Sequence, residues 1–200
     1  MTAKPEKPLR EACIEEALAI IEQGGVEALS LRAVARRLGV SHQAPYKHFP
    51  SREHILAEIV ARTFDEFAAH LDARPAAADP FADLRALGER YLDYARRYPL
   101  KYRLMFNAAL PPLPEHPEMM RNAERAFAIL RTRLGQMALR QAPGGAAPHL
   151  DAMVIWSALH GLASIEHADV LATLDMERAD MQRAEERMFA RLSAAFRPEE

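Results

Sequence analysis

A chain of 200 residues, half of them hydrophobic, can bury a sizeable core, as one large domain or as a small domain joined to a larger one. The formal net charge of −2 excludes a uniformly basic coat for nucleic acid, yet residues 31–54 hold Arg32, Arg36, Arg37, Lys47 and Arg52 against one acid, Glu53. Cys13 is the only cysteine, which excludes an internal disulfide and a cysteine-based zinc site. A reducing cytoplasm fits that composition. The opening MTAKPEKPLREA has no apolar core for a signal peptide. No apolar run reaches the ~18 residues of a membrane span, so no membrane partner is expected.

Helical spacing dominates in chain order. Ile14, Ala17, Leu18 and Ile21 predict a first helix, stopped by Gly24 and Gly25. Ser30 caps a second, with Leu31, Val34, Ala35 and Leu38 inward and Gly39 at its end. A third, short helix falls within GVSHQAPYKHFP (39–50), and a fourth runs from about residue 51 to about 72. RPAAADP (74–80) is a loop; Leu84, Leu87, Tyr91, Tyr94 and Tyr98 mark a fifth helix, and residues 100–106 a short sixth. PPLPEHP (111–117) is too rich in proline to be helical. Met120, Ala123, Phe127, Leu130, Leu134 and Met137 give a long seventh helix, broken by APGGAAP (142–148). The eighth, about 149–171, carries Met153, Trp156, His160, Ala163 and His167 on one face and Ile155, Leu159 and Leu162 on another, so burial nearly all round is expected. The ninth, about 176–196, aligns Met181, Ala184, Met188, Leu192 and Ala195. No stretch alternates with period two. The expected fold is all-α, with about nine helices: a three-helix head over residues 1–51 and a larger helical body over 52–200.

Residues 30–49 have the make-up of a helix-turn-helix: two short helices, Gly39 in the turn, Val40 between them and Ser41 as a possible cap. Such a second helix lies in the DNA major groove. Pro45 stands inside it. If the helix begins at Ser41, the missing N–H of Pro45 forfeits one bond to the Ser41 carbonyl. If it begins at Pro45 nothing is lost, because the first N–H groups are free. Proline also biases Ala44 toward an extended backbone. The expectation is therefore a short recognition helix, with His42 and Gln43 in its opening turn or just before it.

The run SLRAVARRLGVSHQAPYKHFPSREHIL resembles the DNA-binding head of the tetracycline-repressor (TetR) family. The matching positions are Ser30, Val34-Ala35, Gly39-Val40-Ser41, Tyr46, His48-Phe49 and Arg52-Glu53, within about residues 8–60. Pro45 departs from the pattern, which has an apolar residue there, often Leu. Trp156-Ser157-Ala158-Leu159-His160-Gly161 also resembles a Trp-x-x-x-His-Gly motif of one subset of the family. The resemblance implies a homodimeric, ligand-responsive regulator, a repressor on a pseudo-palindromic operator, paired through its eighth and ninth helices. It implies that Gln43, Ala44, Tyr46, Lys47 and His48 face DNA, with His42 and Ser41 nearby. Gln43 suits adenine edges, Ala44 a thymine methyl, and Lys47 phosphate or guanine. Tyr46, His48, Ser30 and Arg52 suit phosphates. It further implies an inducer pocket with Tyr91, Met105, Phe106, Phe127, Trp156 and His160 as candidate lining, for an apolar or aromatic small molecule.

Two other readings stand beside it. One is an architectural DNA-binding protein without an effector. The other is a helical enzyme using His160, Glu166 and His167. No phosphate loop or nucleophile constellation supports the enzyme. His160 and His167 are seven apart, too far for a compact metal site on one helix, so no metal or other cofactor is expected.

Overall fold

The computed structural model describes residues 8–73, 77–106, 111, 115–141, 147–168 and 174–195, the side chains of 137–141 excepted. Among them are eight α-helices: α1 Leu9–Gly24, α2 Leu31–Leu38, α3 Arg52–Leu71, α4 Pro80–Arg97, α5 Pro99–Phe106, α6 Pro117–Gln141, α7 Pro148–His167 and α8 Arg178–Ala195. The ninth expected helix, the third in order, is only a 3-10 turn, Pro45–Lys47. Expected residues 169–171 and 196, at the ends of the last two helices, lie outside the described set. None of the described helices is long and apolar enough to cross a membrane.

The chain divides into two compact units. The first takes Met1–Phe64 with Arg103–Asn122, the second Asp65–Tyr102 with Ala123–Glu200. The expected boundary at residue 51 followed the motif alone. The first unit reaches on through the opening three turns of α3 and recruits a second, distant stretch.

In the first unit, α1 packs on α2 through Cys13, Ile14, Ala17, Ile20 and Ile21 against Leu31, Val34 and Ala35, all buried. Gly25, at φ +78°, ends α1. Ser30 Oγ accepts from Ala33 N at 3.1 Å and opens α2. Gly39, at φ +67°, closes it, and the Val40 N–H returns to the Ala35 carbonyl at 3.1 Å. Arg62 on α3 donates to Glu11 at 2.5 and 2.8 Å and to Glu58 at 2.7 Å, while Arg10 reaches Glu58 at 2.9 Å, so charge ties α1 to α3.

In the second unit, Asp79 caps α4 by accepting from Phe81 N and Ala82 N, with Pro80 in the first helical position. α4 packs on α7 and α8. The buried line of α7 is Ala152, Ile155, Leu159 and Ala163. The expected all-round burial of this helix does not hold in the chain: Leu150, Met153, Val154 and Ile165 are exposed. On α8 the buried residues are Met181 and Phe189, not the expected stripe as a whole; Ala195 is exposed. Phe189 is admitted by Gly88 on α4, where a Cβ would stand 2.5 Å from its ring.

Candidate nucleic-acid interface and ligand site

The segment between α2 and α3 is built around two buried side chains. Pro45 and Phe49 point inward; Ser41, His42, Gln43, Tyr46, Lys47 and His48 are exposed, and Ala44 is half-buried. Pro45 is thus itself an inward apolar residue of the segment. The backbone accommodates it by tight turns. Ala44 N bonds the Ser41 carbonyl at 2.9 Å, taking the place of the N–H that proline lacks. Lys47 N then bonds Ala44 O at 3.3 Å, and His48 N and Phe49 N share Pro45 O at 3.0 Å.

Two expectations are corrected here. Ala44 is not extended: it sits at φ −62°, ψ −45°, in the helical region, because the turn begun at Ser41 holds it there against the bias of the following proline. The turn opens from Ala44 with no side-chain cap bond, so Ser41 contributes its carbonyl and not a cap. His42 and Gln43 occupy the turn before Pro45, as the late start requires.

The flanking candidates differ in availability. The Ser30 cap uses a lone pair of the hydroxyl and leaves its O–H as a donor. Arg52 is committed to the fold: Nε donates to Leu29 O at 3.0 Å and Nη2 to Val26 O at 2.7 Å. It clamps the turn that precedes α2, a role its place in the sequence pattern does not reveal. Arg37 is likewise held, by Glu16 at 2.6 Å and Gln23 at 2.8 Å, whereas Arg36 is exposed.

The candidate ligand residues divide between the units. Met105 is buried in the first, where Phe106 meets Phe64 edge-on at 5.9 Å. Tyr91, Phe127, Trp156 and His160 come together in the second, with Phe127 6.0 Å and His160 5.9 Å from the Trp156 ring. Tyr102, absent from the sequence candidates, completes this group. Trp156 Nε1 donates to the Tyr91 hydroxyl at 3.2 Å; the Tyr91 and Tyr102 hydroxyls are 3.0 Å apart; Tyr102 lies 2.7 Å from His160 Nδ1. Burial pushes the Tyr91 phenol up, pushes Tyr102 up to about 12, and holds His160 down. All three are therefore neutral near pH 7; the imidazole tautomer sets which of Tyr91, Tyr102 and His160 donates to which, and His160 Nε2 lies 3.4 Å from Ser164 Oγ.

His167 stands apart from this chain. Its nitrogens face the carbonyls of Ala163 at 2.6 Å and Ala95 at 2.8 Å, and its ring stacks on Tyr102. Glu166 pairs with Arg96 at 3.0 Å. The three residues of the enzyme reading thus serve three separate partner sets, and the described residues hold no gathered group of three metal-ligating side chains.

Comparison with known proteins bears on both regions. Residues 14–59 match the model of bacterial regulatory proteins of the tetR family, and residues 84–192 that of the tetracyclin repressor-like C-terminal domain. An uncharacterized HTH-type transcriptional regulator of Mycobacterium tuberculosis, Rv0681, is 26% identical over 88% of this chain and 78% of its own. The HTH-type transcriptional repressor KstR of Mycolicibacterium smegmatis is 31% identical over 53% of this chain and 52% of its own. Among solved structures, a protein of unknown function from Rhodococcus sp. RHA1 aligns with a TM-score of 0.77 at 23% identity, over 96% of this chain and all of that one. The TetR regulator PfmR of Thermus thermophilus aligns at 0.66 and 24%, over 94% and 98%. At those identities the structural likeness speaks for the fold.

Proposed function

The chain belongs to the tetracycline-repressor family of ligand-responsive, DNA-binding transcriptional regulators, and from that premise we propose that it is a homodimeric repressor released from a pseudo-palindromic operator by a small molecule. The observation that carries the reading is the recognition segment. His42, Gln43, Tyr46, Lys47 and His48 are all exposed on a short turn whose inner side is pinned by Pro45 and Phe49. Gln43 and Ala44 read base edges; Lys47, Tyr46, His48 and the Ser30 hydroxyl hold the backbone. The repressor name borne by KstR, matched over about half of each chain, favours repression over activation.

Dimerisation is supported by α7. Leu150, Met153, Val154 and Ile165 are 43–58% exposed and fall on one line, beside the open side of Gly161. A second copy related by a two-fold axis covers such a line with itself. The outward residues of α8 include Arg183, Glu186, Arg187 and Arg191, so α7 supplies the apolar part. Two heads then meet successive major grooves, ~34–36 Å apart or a multiple of that.

Tyr91, Phe127, Trp156 and His160, joined by Tyr102, are the inducer's contacts. The ligand they suit has an apolar or aromatic body and one polar group that exchanges hydrogen bonds with the phenol–imidazole chain. Release follows from linkage: a ligand that prefers one arrangement weakens operator binding by its differential affinity, commonly ~1–3 kcal/mol. α3, α5 and α6 each contribute residues to both units, and α3, which starts with Arg52, is the lever.

Selection of bound duplexes from a random pool, repeated with candidate ligands, tests the reading. A palindromic site lost with one compound supports it; binding without sequence preference or ligand effect supports the architectural alternative and sinks it. On the selected site, Lys47→Ala weakens binding and lowers the slope of log affinity against log salt by about 1. An unchanged slope removes Lys47 from the phosphate contacts.

A further inference from the structure

The recognition turn has little of its own to hold it in place. Pro45–Lys47 is a three-residue 3-10 turn, and its bonds run from the N–H groups of Lys47, His48 and Phe49 to the Ala44 and Pro45 carbonyls. So short a turn has poor hydrogen-bond geometry and no cooperative length. The placement of its exposed side chains therefore depends on the two inward residues, Pro45 and Phe49. Phe49 is 2% exposed, and one neighbour of its ring is a cation: the Arg10 guanidinium carbon stands over it, 5.3 Å from the centroid. At that distance the negative face of the ring attracts the charge. Arg10, His48, Phe49, Pro50 and Glu58 line one cleft.

Arg10 is itself held. Its Nη1 donates to Glu58 Oε1 at 3.1 Å and its Nη2 lies 2.9 Å from Oε2, a two-pronged pair that fixes the guanidinium plane. Glu58 also accepts from Arg62 at 2.7 Å, and Arg62 is anchored on Glu11. Burial works against the Glu58 charge, but the bonds from Arg10 and Arg62 outweigh it and hold the carboxyl below its ordinary value. Arg10 stands in the first turn of α1, where the helix dipole disfavours a cation. Its place is set by what it meets on α3 and in the recognition segment, not by α1.

We infer that Arg10 is a positioning residue for DNA recognition: carried on Glu58, its guanidinium holds the Phe49 ring, and through it the turn that presents Gln43, Tyr46, Lys47 and His48, without itself touching DNA. The inference rests on the reading of that segment as the DNA-facing one. Attraction to phosphates is long-range, whereas bonds to base edges are directional, so a loosened turn costs discrimination first.

The test has one arm without DNA and one with it. In the free, full-length protein, amide hydrogen exchange is followed at His48 and Phe49, whose N–H groups bond Pro45 O, and at Val40, whose N–H bonds Ala35 O. Arg10→Gln should speed exchange at His48 and Phe49 about 3- to 10-fold, the scale of one cation–π contact, and leave Val40 unchanged. Arg10→Lys, which keeps a cation but not the fork onto Glu58, should fall between. In a Phe49→Leu background the effect of Arg10→Gln should vanish, because no ring is left to hold. Circular dichroism verifies that each variant is folded; Phe49→Met replaces Phe49→Leu if that chain does not fold. With DNA, Arg10→Gln should weaken binding to the selected duplex by about the same factor. Binding to a random duplex and the slope of log affinity against log salt should stay as they are. Equal acceleration at Val40, or the same effect of Arg10→Gln with and without the Phe49 ring, overturns the inference and makes Arg10 a general support of the fold. A salt slope lowered by about 1 overturns it in favour of a direct phosphate contact. If exchange responds as expected but no duplex is selected, the hold of Arg10 on the turn is supported and the DNA reading of the segment is what fails.

Discussion

The two units use polar side chains in opposite ways. In the head, His42, Gln43, Tyr46, Lys47 and His48 face outward while Pro45 and Phe49 hold the backbone beneath them. In the body, Tyr91, Tyr102, Trp156 and His160 turn their polar atoms toward one another, with Tyr91 and Tyr102 almost fully buried. A surface that reads a large, charged partner is local, because one short segment can present it. The polar group proposed as the inducer's site is assembled from α4, α5 and α7, and its buried polar atoms need partners in any case.

The sharpest way to break that contrast is to remove one aromatic anchor from each unit. Phe189→Ala empties the slot over Gly88, and Phe49→Ala the one beneath the recognition turn. Each should cost about 3–5 kcal/mol in chemical denaturation. Phe49→Ala should also weaken DNA binding under conditions where the chain remains folded, since it loosens the turn directly. Equal operator affinity in the two variants would deny the turn its anchor. Next in size, Tyr91→Phe takes away the acceptor of the Trp156 indole and one member of the chain to His160. A loss of about 1–3 kcal/mol is expected, against no change at the exposed head residue Gln43 when made Ala.

Ser30→Ala loses the cap of α2 and should cost about 1 kcal/mol, read from the denaturation midpoint. Glycine there should recover most of it. The smallest effect is in pH. Burial holds His160 below its ordinary value of 6.5, so the unfolded chain takes up that proton first. Its contribution to stability is complete above about 6.5 and is lost as pH falls below it. In His160→Asn the stability profile between pH 7.5 and 5.5 should be flatter; an identical slope would mean that the imidazole is not desolvated.

What the sequence disclosed follows the same division. Ser30 and Gly39 bracket α2 because caps and left-handed turns act within a few residues, and the exposed recognition residues follow from the same local spacing. Arg52 shows where local reading stops: a cation beside the motif reads as a phosphate contact, and only the fold brings the Val26 and Leu29 carbonyls to its Nε and Nη2. Tyr102 escaped notice because α5 has eight residues, too few for a periodic signal. Phe189 was passed over because its burial depends on Gly88, about a hundred positions earlier. The outward face of α7 was legible as apolar but not as to what covers it, since a hydrophobic line looks alike whether it is covered by its own chain or by another. The eight helices themselves were legible, because capping, periodicity and proline breaks are all short-range.

Trp156 is the chain's only tryptophan. Its indole N–H is spent on Tyr91, so all tryptophan emission of the protein comes from inside the phenol–imidazole chain. The head contains no tryptophan to obscure it. If the inducer proposed above displaces the Tyr91 hydroxyl, that emission changes without a label, and DNA bound at the head changes it only through a rearrangement carried into the body. One cuvette then tests both proposals.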